Sequence, residues 1–207
     1  MIPLSQLKQL HEKTAVKRAI ETEFKSDPAE FVEGISKSVN SLLKIDLKQA
    51  GEYVARLDKI FRHLPPKYKP RLLAINARYN HWIGRSQKAL NYYLRARELH
   101  EKAGEWEAVA RLGKGLLDVY RFLGQHDKAL EIGKKSLRYF RRKGLMIESG
   151  DVLNNIGNIY HRIDENRLAL KYYNKAREIY PDSDELKMGI VEFNRANIFA
   201  NMNKLEK

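Results

Sequence analysis

Asparagine amides are the side chains in this sequence whose spacing points to binding chemistry. Nine asparagines lie in residues 151–207, whereas only four lie in the first 150 residues. Asn155 with Asn158, and Asn194 with Asn197, each form an Asn-x-x-Asn pair that a helix would place on one face. An amide can pair with both the C=O and the N–H of an extended peptide. The spacing therefore indicates a surface that binds peptide backbone, or else amides that bond neighbouring helices and cap loops.

Cationic side chains are the second candidate binding group. The formal net charge is +13, but most lysines and arginines alternate with acids at helical spacing, which is typical of a solvated helix face. One stretch, the basic patch, carries six cations in ten residues without an acid: Lys134, Lys135, Arg138, Arg141, Arg142 and Lys143. It is either a solvated face whose cations stabilise a helix C-terminus or a docking surface for an acidic protein or a phosphate backbone.

The sequence offers little for catalysis. It contains no cysteine, and its six histidines show no metal-binding spacing. Glycine-rich phosphate loops and serine elbows are also absent. We therefore predict a chain that is not an enzyme and that holds no cofactor and no metal. No signal peptide or membrane-length apolar run occurs, so we expect a soluble, cytoplasmic protein without a membrane partner.

The elements that must position these side chains are helices, since apolar residues recur at three- and four-residue spacing throughout. Pro65, Pro66 and Pro70 interrupt the pattern. We predict N-terminal helices with a degenerate repeat or cap over 1–66, and three regular repeats plus the first helix of a fourth over 67–207. The predicted helices are 3–25, 28–44, 47–64, 68–83, 86–103, 106–123, 126–143, 147–163, 166–180 and 184–202.

Small residues recur with a step of about 40 residues. Gly84, Gly124 and Asp164 share one phase, and the alanines that follow each of them by five residues share another: Ala89, Ala129 and Ala169. Glycine at the first phase would end a helix, and alanine at the second would let two helices approach closely. A fixed period of this length is typical of a solenoid of stacked helix pairs.

The third repeat resembles the tetratricopeptide repeat. Small residues, aromatics and a proline stand at the family's consensus positions: Gly157, Tyr160, Ala169, Tyr173, Ala176 and Pro181. The resemblance spans residues 71–203 and implies an all-α, right-handed superhelical solenoid of antiparallel helix pairs with 39–40 residues per repeat. It also implies that the first helix of each pair lines a concave groove. The groove candidates are Arg78, Arg111, Lys114, Arg121, Asn154, Asn155, Asn158, Asn194, Asn197 and Asn201.

A narrower resemblance concerns the text GNIYHR followed by EFNRANIFANMNKLE. It is similar to the N-terminal repeat region of bacterial proteins that join such repeats to a caspase-like (CHAT) peptidase domain. Because this chain lacks cysteine, the resemblance implies a sensing or regulatory arm rather than the peptidase. We expect the face formed by Ile198, Phe199 and Met202 to be uncovered, which favours a fragment of a longer chain or self-association through the last helix.

Together these observations predict a protein-interaction or scaffold module. Its partner would be a protein or peptide, acidic or extended, held in the groove. The alternative is a nucleic-acid-binding helical repeat protein that acts through the basic patch. Trp82 and Phe122 share one repeat phase, and we expect both to pack between repeats rather than to anchor a peptide.

Overall fold

The computed structural model describes residues 28–205 and, before them, Thr14, Lys17, Arg18 and Glu21, which are helical. The rest of the predicted helix over 3–25 lies outside the described residues. The prediction of an all-α fold built from antiparallel helix pairs is confirmed, and no strand occurs in residues 28–205. The helices are α1 (Pro28–Ile45), α2 (Leu47–Phe61), α3 (Lys69–Trp82), α4 (Ser86–Lys102), α5 (Trp106–Phe122), α6 (His126–Arg142), α7 (Met146–Arg162), α8 (Asn166–Arg177) and α9 (Glu185–Leu205).

The described helices fall into two compact units, one ending at Ala103 and the other beginning at Gly104. In the first unit, Phe31 and Ile35 of α1 and Leu57 and Ile60 of α2 are fully buried. Asp46 caps α2 by accepting a hydrogen bond from the Gln49 N–H at 2.9 Å. The proline-rich break after α2 folds as a turn and a short 3-10 helix, Pro66–Tyr68, and it lies inside this first unit.

In the second unit, α5 to α9 pack in sequence around their own core, which includes Leu116, Phe140, Ile156 and Tyr173. Small residues set the close approaches. A β-carbon built on Gly157 would lie only 2.5 Å from the Tyr173 ring, so the aromatic occupies the space that the missing side chain leaves. The unit thus fixes α5, α7 and α9 side by side, with α6 and α8 packed against them.

Residues with positive φ lie just after the helix ends that the sequence predicted. Gly84 and Gly124 have φ values of 79° and 71°, which glycine adopts without steric cost. Asp164 stands at the same repeat phase and takes φ 60°, a conformation that aspartate tolerates better than most residues. The 40-residue pattern therefore marks the same helix-ending turn three times, once without a glycine.

Several details differ from the sequence prediction, among them the end of α2 at Phe61 rather than residue 64 and the end of α9 at Leu205 rather than residue 202. α8 ends at Arg177 rather than residue 180, because Pro181 disfavours helix at Tyr180, and the Tyr180 ring packs on Gly150 instead. Ile198 is fully buried rather than uncovered, because α9 packs on α8 and α7. Trp82 and Phe122 are not packed away, since their exposed fractions are 51% and 57%.

Candidate functional site

In the second unit, ion pairs between side chains connect helices α5, α7 and α9. Arg111 of α5 bonds Glu148 of α7 at 2.8 Å, and Lys114 bonds Asp151 at 2.8 Å. Lys187 of α9 reaches the same Asp151 at 2.7 Å. We call the surface that these contacts define the three-helix surface; it consists of residues 111–121 of α5, 148–162 of α7 and 186–201 of α9.

Asp151 is the junction of this surface. Its Oδ2 accepts from Lys114, and its Oδ1 accepts from Lys187 and from the Tyr180 hydroxyl at 3.0 Å. Burial alone would raise the pKa of Asp151, but the hydrogen bonds and positive charges of the two lysines lower that pKa below its usual value. The carboxylate therefore stays charged and ties α5, α7 and the beginning of α9 together.

Four of the predicted groove asparagines lie on this surface and bond other parts of the unit. The Asn194 amide nitrogen donates to Asn154 Oδ1 at 3.0 Å, and the Asn201 amide nitrogen lies 3.1 Å from His161 Nε2. Asn158 Oδ1 accepts from the Tyr173 hydroxyl at 2.8 Å. These bonds leave ligand-binding capacity on Asn158, whose two N–H donors make no hydrogen bond within residues 28–205.

Asn155 and Asn197 are different. Both are half-buried on the same surface, and neither side chain makes a hydrogen bond to any described residue. An amide in this position has its two donors and its acceptor available for a ligand. These two residues are therefore the members of the predicted asparagine set best suited to bind a peptide backbone.

Two hollows lie along the α7 side of this surface. The first measures about 310 Å³ and has an apolar wall of Tyr180, Leu186, Ile190 and Val191 beside Lys114, Asp151, Asn154, Asn155 and Lys187. The second measures about 270 Å³ and is lined by Arg121, Asn158, His161 and Arg162. The first hollow is thus largely apolar, whereas the second is lined by polar and cationic groups.

Most cations of the predicted groove already have acidic partners. Arg111 pairs with Glu107 and Glu148, Lys114 with Asp151, and Arg121 with Asp118 at 2.6 Å. Burial by itself disfavours the Arg111 cation, but its bonds to Glu107 and Glu148 leave its pKa raised. Arg78 belongs to the first unit, where it bonds Asn40, so it is no part of the three-helix surface.

The basic patch occupies α6 and the residue after it. All six of its cations are exposed. Lys135 pairs with Glu131 at 2.6 Å, whereas Lys134, Arg138, Arg141, Arg142 and Lys143 form no ion pair with any part of the chain that the structure describes. The free positive charge of this unit is therefore concentrated on α6 more than on α5.

The sequence missed the residues that hold the three-helix surface together. Lys187 and Tyr180 carried no motif, and their shared partner Asp151 lies 36 and 29 residues away along the chain. One signal was available for Lys114 and Asp151, because they lie 37 residues apart, close to the repeat step. Within the described ranges, no group of three histidine, aspartate or glutamate side chains could hold a metal ion, and no helix is long and apolar enough to cross a membrane.

Comparisons with known proteins identify the repeats. Family models described as tetratricopeptide repeat match residues 72–142 and 150–183, which together make up about half of the chain. No curated protein matches the sequence significantly. The narrower resemblance to the repeat region of CHAT peptidase proteins has no support among the proteins matched and stays a prediction.

Solved structures share the fold at low sequence identity. BtubC from P. vanneervenii aligns over 98% of this chain and 86% of its own, with a TM-score of 0.72 and 18% identity. Aspartyl phosphate phosphatase F from Bacillus subtilis aligns over 97% of this chain but 55% of its own, with a TM-score of 0.68 and 16% identity. MamA aligns over 79% of this chain and 85% of its own, with a TM-score of 0.50 and 26% identity.

Proposed function

Because this chain belongs to the tetratricopeptide-repeat family, we propose that it is a non-catalytic protein-interaction module that binds an extended segment of a protein partner on its three-helix surface. The observation that carries the proposal is the pair of available amides, Asn155 and Asn197, on a surface that also contains two hollows. Amide-to-backbone pairing would hold a segment in extended form whatever its side chains. Its cytoplasmic location and a role as the regulatory arm of a larger protein stay predictions.

A random peptide library tests this proposal without assuming the sequence of the partner segment. Random peptides displayed on phage would be selected against the full chain, and the affinities of selected peptides measured by fluorescence anisotropy. Replacing Asn155 and Asn197 together by alanine should weaken binding by about 1–3 kcal/mol, since each amide loses hydrogen bonds that the complex buries. Asn174→Ala is the matched control, because Asn174 is exposed on α8, outside the three-helix surface. Equal affinities for the double variant and the control would reject the proposal.

A second candidate function is favoured by one observation: five of the six exposed cations of the basic patch form no ion pair with a described residue. Nucleic acid would bind there through its phosphates, and the logarithm of the binding constant would then fall with the logarithm of salt concentration by about 0.9 per duplex phosphate contacted. Gel shifts at low and moderate salt, with the wild type and with Arg138→Glu plus Arg141→Glu, measure this. Duplex binding that the double variant leaves unchanged would eliminate the patch as a nucleic-acid site.

A further inference from the structure

The two hollows of the three-helix surface differ in chemistry, and this difference defines a ligand. We propose that the surface recognises a two-point motif: a large apolar side chain in the first hollow and an acidic side chain in the second, three residues apart on one extended segment. The inference rests on the proposed function and narrows it to the kind of segment bound.

The first hollow suits an apolar side chain. Leu186 and Ile190 of α9 are 71% and 45% exposed at its rim, and Val191 and Tyr180 complete its apolar wall. The cations of this hollow are already occupied, because the ammonium groups of Lys114 and Lys187 both bond Asp151. An apolar side chain that entered would remove exposed leucine and isoleucine surface from water, which is favourable.

The second hollow suits a carboxylate. Arg162 is exposed and makes no ion pair with the described residues, while Arg121 shares the single charge of Asp118. In the first hollow both lysines bond Asp151, whereas here Arg162 has no acidic partner among the described residues, so its positive charge is in excess. Asn158 adds N–H donors, since the Tyr173 hydroxyl occupies only its oxygen. One carboxylate would neutralise the excess charge and accept several charge-assisted hydrogen bonds.

The spacing of the two points follows from α7, which lines both hollows. Asp151, Asn155, Asn158 and Arg162 stand at positions i, i+4, i+7 and i+11, so they share one face of the helix. The α7 residues of the two hollows are centred about seven residues apart, or roughly 10 Å along the helix. A segment in the extended polyproline II conformation covers that distance in about three residues at roughly 3.1 Å each, and its three-residue turn places both side chains on the same side. Asn155 would then bond the backbone between the two anchored side chains.

The experiment uses the full chain and fluorescein-labelled peptides built on a serine–threonine host. Two test peptides carry leucine and glutamate three positions apart, one in each order. The matched control peptides replace glutamate by glutamine, replace leucine by serine, or place the two residues one or six positions apart. We expect one order to bind best and each matched peptide to bind at least about fivefold more weakly. Arg162→Gln should abolish the discrimination between glutamate and glutamine, and Ile190→Ser should abolish that between leucine and serine. Lys175→Gln, an exposed change on α8, should alter neither discrimination.

The outcomes separate this inference from the proposed function. Host peptides that bind with the same affinity whatever their charge, apolar residue or spacing, and still lose affinity with Asn155→Ala plus Asn197→Ala, would overturn the two-point motif and leave extended-segment binding intact. Failure of every peptide, including those selected from the random library, would overturn both. Discrimination that Arg162→Gln leaves unchanged would likewise overturn the assignment of the acidic point.

Discussion

At the scale of single residues, Asp151 and some asparagines of the three-helix surface bond its helices together, whereas other asparagines have amides available for a ligand. Asn154, Asn158, Asn194 and Asn201 each bond another side chain, which is the helix-bonding alternative that the sequence left open. Asn155 and Asn197 keep the backbone-binding alternative open. The sequence could place all six on one surface but could not divide them, because the division depends on partners that lie 15 or 40 residues away: a tyrosine, a histidine and, for Asn154 and Asn194, each other.

The junction at Asp151 gives a pH-dependent prediction. A carboxyl whose pKa is lower in the folded than in the unfolded state stabilises the fold above its unfolded pKa of about 3.9. That stabilisation is lost as the pH falls through the lowered pKa. Asp151→Asn should therefore reduce the free energy of unfolding at pH 7 by about 1–3 kcal/mol, since it removes charge-assisted bonds to Lys114 and Lys187.

Urea unfolding at pH 7 and near pH 3 measures this effect. The wild type should lose more stability on acidification than Asp151→Asn. Asp182→Asn serves as the control, because Asp182 is exposed in the turn before α9 and forms no ion pair within residues 28–205. If acidification costs the wild type and Asp151→Asn the same free energy, the junction does not stabilise the fold.

At the scale of elements, the sequence predicted most helices of the second unit to within one residue at each end. The repeated glycine phase and the alanines made this possible, because they mark turns and close contacts that depend on local backbone conformation. The exposure of Trp82 and Phe122 and the burial of Ile198 were not predictable in the same way. Repeat phase fixes which face of a helix a residue occupies, but the neighbouring helix decides whether that face is covered.

Two glycines within helices provide a matched test of the packing. Gly157→Ala should lower the free energy of unfolding by about 1–3 kcal/mol, because its new β-carbon would lie 2.5 Å from the fully buried Tyr173 ring. Gly189→Ala in α9 meets nothing within 4 Å and should raise that free energy by about 0.5–1 kcal/mol, because alanine is the better helix former. Urea midpoints measure both changes, and a Gly157→Ala protein as stable as the wild type would show that the contact is not tight.

At the scale of the whole molecule, the second unit has its own core and contains the entire three-helix surface. We therefore expect residues 104–207, expressed alone, to fold. The core residues Leu116, Phe140, Ile156 and Tyr173 supply contacts within this unit that do not require the first. Circular dichroism should show a helical spectrum and one cooperative thermal transition. A fragment without a cooperative transition would mean that the second unit depends on the first.

A partner segment that binds on α5, α7 and α9 would change the environment of the backbone amides of those helices. The most direct measurement is a map of backbone amide shifts on the ¹⁵N-labelled chain, titrated with a peptide selected from the random library. We expect the largest changes at residues 111–121, 148–162 and 186–201, with little change at 134–143. Shifts confined to the basic patch, or spread over faces outside the three-helix surface, would show that the segment does not bind on α5, α7 and α9.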